Sequence, residues 1–88
     1  MSYMLVKHKV ENFKRWKTLF DDHSDSRKKA GLTDLYVLRD VNDPENVFVI
    51  CEVKNLAKAQ DFINSKGLQD VLKKSGVVDM PAVYFLKK

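Results

Sequence analysis

The chain has 88 residues, 16 of them Lys or Arg against 12 Asp or Glu, and a single cysteine. That length makes one domain, residues 1–88, with a thin core, because a chain of this size buries only about 60% of its unfolded surface. A lone cysteine excludes an intramolecular disulfide, and no run approaches the ~20 apolar residues of a membrane-spanning helix.

Residues 3–10 alternate, with Met4, Val6, His8 and Val10 on one face and Tyr3, Leu5, Lys7 and Lys9 on the other, which predicts a strand. Asn12 is a good N-cap. Phe13, Trp16, Leu19, Phe20 and His23 then recur at helical spacing, and the helix is expected to run on through Ser24–Ala30 to a stop at Gly31. Leu32–Arg39 reads as a second strand, with Leu35, Val37 and Arg39 against Tyr36 and Leu38. The turn-forming run Asp40–Asn46 leads into Val47–Val53, apolar on both faces and therefore expected at the centre of the sheet. The two strands form an antiparallel hairpin.

Asn55 caps a second helix that carries Leu56, Ala59, Phe62 and Ile63, with Gly67 expected to break it. Leu68, Val71 and Leu72 suggest a further short helix ended by Gly76, and Ala82–Leu86 is the last strand.

The order is β-α-β-β-α-β, an α+β, ferredoxin-like arrangement with an antiparallel sheet. Helices cover one face of that sheet, and nothing within the chain covers the other. Because the strands are apolar on both sides, the open face calls for a second copy packed sheet to sheet across a twofold axis.

The positive balance does not make a nucleic-acid surface. The basic side chains are dispersed and acids interrupt them almost throughout, whereas nucleic-acid binding needs a basic stripe on one face. An RNA-binding sheet shares this order of elements, but it needs a glycine and an exposed aromatic pair on its third strand, and Val47–Val53 has neither. Neither a nucleic acid nor a membrane is expected as a partner. The N-terminus lacks the pattern of a signal peptide, so a cytoplasmic location is the expectation. His8 and His23 lie in different elements, no Cys/His cluster has metal-ligand spacing, and no metal is expected.

The run His8–Lys17 resembles the opening of small stand-alone proteins of the dimeric α/β-barrel superfamily, the antibiotic-biosynthesis-monooxygenase-like and cyclase-like members among them. Arg27–Gly31, Arg39–Val47, Ala59–Phe62 and Gly76–Leu86 are similar in the same order, so the resemblance covers nearly the whole chain. It implies a homodimer whose two sheets form a barrel, with a pocket between sheet and helices in each subunit. It also implies a small hydrophobic, aromatic or polyketide-like ligand. Its members include cofactor-free oxygenases, haem-related enzymes, cyclases and dehalogenation-type enzymes. The expected activity is a cofactor-independent monooxygenase or a cyclase/isomerase with no bound cofactor. A non-catalytic ligand-binding or structural dimer is the alternative.

His8 is the candidate catalytic residue, since imidazole titrates near neutrality and can act as a general base. Its companions on that face are apolar, which equally suits a core histidine. Trp16 and Phe20 are candidate pocket walls for a flat ligand, or plain core. Arg27 is a candidate for binding a carboxylate or phenolate. Tyr36 and Tyr84 offer hydroxyls at a pocket rim or an interface. His23 reads as a surface or capping side chain, Arg39 as a partner of Asp40 or Asp43, and Cys51 as a small buried hydrophobe.

Overall fold

In a computed structural model that describes every residue, Met1–Lys88, four strands and four helices follow in the order β1 (Ser2–Lys9), α1 (Phe13–Asp22), α2 (Ser24–Lys29), β2 (Leu32–Arg39), β3 (Asn46–Val53), α3 (Leu56–Ile63), α4 (Lys66–Lys74) and β4 (Ala82–Lys87). The expected β-α-β-β-α-β plan holds, with each helical connection made of two short helices. The sheet is antiparallel throughout, in the order β2-β3-β1-β4. β3, the most apolar strand, is central, as expected of a strand that must bury both faces.

Both expected N-caps form. The side chain of Asn12 accepts a hydrogen bond from the Arg15 backbone N–H at 3.1 Å, and that of Asn55 from Lys58 at 3.0 Å. Each satisfies one of the free N–H groups that open a helix.

The expected single helix from Phe13 to Ala30 is instead broken at His23 (φ −101°, ψ 16°). The bend lets Arg27 turn inward, where it is buried against Asp34 of β2 and the backbone of Phe20. Gly67 is not the breaker it was expected to be. The second break falls at Asn64–Ser65, where Ser65 leaves the helical region (ψ 144°) and its hydroxyl caps α4 by accepting from Leu68 N–H. Gly67 sits inside α4 with nothing near it, so its weak helix preference meets no competing contact. Gly31 and Gly76 end α2 and α4 with φ of +79° and +80°, a conformation that costs most side chains strain.

The core lies between the sheet and the helices. Met4, Val6, Val47, Val49, Cys51 and Val53 project from the central strands onto Trp16, Leu32 and Ala59. A one-residue bulge interrupts β2: Asp34 lies opposite Cys51, but Tyr36 lies opposite Ile50. Leu35 is the extra residue. It moves Val37 and Arg39 onto the helix side and turns Tyr36 and Leu38 to the open side.

The segment between α4 and β4 is sewn to the end of β1. Val77 bridges Val10, the Val78 N–H donates to the Lys9 carbonyl at 2.9 Å, and the Lys9 N–H donates to Asp79 Oδ1 at 2.8 Å. No helix is long and apolar enough to cross a membrane.

Candidate functional site

A cavity of about 790 Å³ opens between the helix side of the sheet and the helical layer. Met4, Val6, His8, Val49 and Val83 form its floor. Trp16, Leu19, Phe20 and His23 of α1 form one wall, Phe62 through Leu72 of α3 and α4 the other, and Val77 through Pro81 close one end. The volume suits a small organic molecule and the lining is mostly apolar with a few polar groups, the usual make-up of a ligand site.

His8 is 3% exposed, and neither of its ring nitrogens has a hydrogen-bond partner. Its register explains the position. It pairs with Val47, on the face that also carries Met4 and Val6, so its ring projects into the helical layer. There it meets Trp16 edge to face, with ring centroids 5.2 Å apart. Burial lowers the His8 pKa from 6.5, and the charge of Asp79 opposes that shift. The ring is therefore neutral near pH 7, with one nitrogen able to accept a proton and the other to donate.

Trp16 continues the wall. It stacks on Phe20 at 4.9 Å and lies 5.8 Å from Phe13. Arg27 covers the far side of Phe20, its guanidinium carbon 3.5 Å from the ring centroid. The polar edge of Arg27 is occupied: it donates to both carboxylate oxygens of Asp34 and to the Phe20 carbonyl. Arg27 thus lines the cavity as a clamp on Phe20, with each of its nitrogens bonded inside the fold.

Four-stranded architecture, split helical connections and cavity together invite comparison with known structures. A provisionally assigned antibiotic biosynthesis monooxygenase of Bordetella bronchiseptica superposes with a TM-score of 0.79 at 14% identity, covering 99% of this chain and 95% of that one. One from Nitrosomonas europaea gives 0.70 at 15% identity, covering 100% and 98%. A conserved protein of Methanosarcina mazei gives 0.72 at 17% identity, covering 100% and 93%. The chain has the antibiotic-biosynthesis-monooxygenase-like fold. No protein-family model matches the sequence, and no curated protein matches it.

Within this shared fold, the candidate residues separate into two groups. His8, Trp16, Phe20 and Arg27 come together around the cavity. Tyr36 does not: it is 60% exposed on the opposite face of the sheet, where the bulge turns it. Tyr84 pairs with Leu5 and shares that open face.

Arg39 makes no ion pair with Asp40 or Asp43. It donates to the Pro44 carbonyl and lies over the Phe13 ring, while Asp43 pairs with Lys9. Cys51 is fully buried and its thiol donates to Asp34 at 3.4 Å. Burial first, then the charge of Asp34, pushes its pKa up to about 12, so it is a neutral thiol and no nucleophile.

Two cavity residues escaped the sequence reading. His23 caps α1 as expected, with Nδ1 2.8 Å from the Leu19 carbonyl, yet it also lines the cavity. A carbonyl only accepts, so Nδ1 carries a proton and donates it. The signal was present, since His23 continues the Trp16–Leu19–Phe20 stripe. Asp79 had none. It lies in an irregular segment, and only the pairing of that segment with β1 brings it beside His8.

Proposed function

We propose that the protein is a homodimer that binds a small aromatic or hydrophobic molecule between sheet and helices, and that His8 acts there as a general base in a cofactor-independent monooxygenation. One observation carries the reading: a buried imidazole whose two nitrogens are unpartnered stands in the apolar floor of the cavity. A buried polar group without a partner costs stability, and it is retained most readily where a ligand completes it.

A phenolic or enolic hydroxyl suits His8. The ring is kept neutral by burial, so it can accept the hydroxyl proton, and the aromatic wall of Trp16 and Phe20 stacks on the resulting delocalised anion. Such an anion is electron-rich enough to react with dioxygen directly. One oxygen atom enters the substrate as a carbonyl, and the other leaves as water with the hydrogen of that carbon and the hydroxyl proton that His8 had taken.

The dimer is supported by the open face of the sheet. Tyr36, Ile50, Leu5 and Tyr84 lie in register across all four strands, and Leu38 with Phe48 and Tyr3 with Leu86 extend the same apolar surface. A patch of this kind on an 88-residue chain is best explained by a second copy.

The test is oxygen uptake with an anthrone as substrate, alongside quenching of Trp16 fluorescence by the same compound. Uptake above the uncatalysed rate, lost at least about 100-fold in His8→Ala while quenching persists, supports the enzyme. Quenching with no uptake in the unaltered protein leaves the non-catalytic ligand-binding dimer. No quenching at all removes the pocket.

A further inference from the structure

His8 is the only titratable side chain on the cavity floor, and the charges around it are unequal in effect. From α1 the cavity brings His23, tied to the Leu19 carbonyl; from α2 Arg27, paired with Asp34; from α4 Lys73. From the segment after α4 it is faced by Asp79. The backbone fixes the Asp79 carboxylate, because the residue next to His8 donates to its Oδ1 at 2.8 Å and the flanking Val78 bonds back to the same residue. Asp79 reaches solvent, and no side chain bonds Oδ2 within the chain.

Resting on the reading of the cavity given above, we propose that Asp79 is the counter-charge of His8. Its carboxylate stabilises the imidazolium formed when His8 takes a ligand's hydroxyl proton, and it keeps ligands that are already anionic out of the cavity. The step moves one proton: the ligand O–H bond breaks, a His8 N–H bond forms, and the pair of charges left behind is anionic ligand and imidazolium. The imidazolium would otherwise be a buried cation beside apolar side chains, which is costly. A carboxylate placed at the mouth offsets that cost most when a bound ligand has displaced water, since the charge–charge interaction strengthens as the local dielectric falls. Arg27 is a poor anion receptor here, because its charge is paired with Asp34 and each of its nitrogens already donates to Asp34 or Phe20. The site therefore fits a molecule that arrives neutral, with a weakly acidic hydroxyl, and it disfavours a carboxylate. Asp79 is a positioning residue in this scheme: it acts through His8.

The experiment is an NMR titration of the His8 ring in the unaltered chain, in Asp79→Asn and in Asp79→Glu, with His23→Gln used to assign the two histidine signals. Binding of 1-naphthol and 1-naphthoate is followed through Trp16, the chain's one tryptophan. Asparagine keeps an oxygen for the Lys9 N–H, so the segment stays attached. The expected result is a downward shift of the His8 midpoint in Asp79→Asn, its recovery in Asp79→Glu, and a gain of about tenfold in naphthoate relative to naphthol in Asp79→Asn. An unchanged midpoint overturns the pairing even where naphthol binds well. A shifted midpoint with no naphthol binding to the unaltered protein overturns the cavity reading itself, and with it the role given to Asp79.

Discussion

At the residue scale, His8 is where stability and function pull apart. The ring is buried with both nitrogens unpartnered, so replacing it with a side chain of similar size and no polar atoms should strengthen the fold. His8→Leu is expected to stabilise the protein by about 1 kcal/mol in urea unfolding while abolishing oxygen uptake. Lower stability than the parent would mean that the imidazole has a structural partner. The same residue sets an acid limb. Its folded pKa is lowered from 6.5, so the unfolded chain takes up this proton first as pH falls, and more protons bound to the unfolded state mean lost stability. The His8 contribution is therefore intact above about pH 6.5 and is lost progressively on acidification toward the folded pKa. Unfolding curves of His8→Leu should lack that part of the slope. Arg27 is the opposite case: each of its three guanidinium nitrogens donates to Asp34 or to the Phe20 carbonyl. Arg27→Met leaves Asp34 without its cation and with only the Cys51 thiol as a side-chain donor, and is expected to cost about 2–3 kcal/mol by the same measurement.

At the scale of elements, the short helices are defined by their caps and by the glycines that end them. α1 has no acidic residue in its first turn, so Asn12 carries the capping alone. Asn12→Ala should cost about 1 kcal/mol. At Gly76, a Cβ would sit 3.5 Å from the Glu11 Cβ, which is ordinary contact, so the cost of Gly76→Ala comes from φ of +80°. About 1 kcal/mol is expected, read as a lower thermal midpoint. The positions of these caps were legible beforehand, because Asn12, Asn55 and Gly31 act on the residues beside them. The breaks were not. The break at His23 follows from a bond between Arg27 and Asp34 across to β2, and the break at Ser65 from a hydroxyl preferred over a glycine only two residues on. Both pit one local preference against another, and only packing decides between them.

At the scale of the molecule, the unpaired surface is the open side of the sheet. A 10.2 kDa chain that exposes Tyr36, Leu38, Tyr84 and Leu86 on one face should sediment at twice its mass at micromolar concentration. Tyr36→Lys combined with Tyr84→Lys should return it to a monomer while the His8 titration stays as it was, because these side chains and His8 lie on opposite faces. A monomeric parent chain would sink the dimer. Unchanged mass in the double variant would place the contact elsewhere.

Hydrophobic alternation along the chain sufficed to set out the strands, their order and the face that His8 and Trp16 share, because in a small sheet each strand must send alternate side chains into a single core. It also put His23 on the stripe of α1. Tertiary structure decided the rest. The bulge at Leu35 turned Tyr36 away from the cavity, a one-residue slip that reverses every side chain after it. Arg27, free to bind a ligand on paper, is committed to an aspartate seven residues away on a neighbouring strand. Asp79 stands at the His8 site only because a loop 70 residues further along the chain pairs with the end of β1. Such juxtapositions depend on which groups meet once the chain has closed on itself, and local pattern carries no record of them.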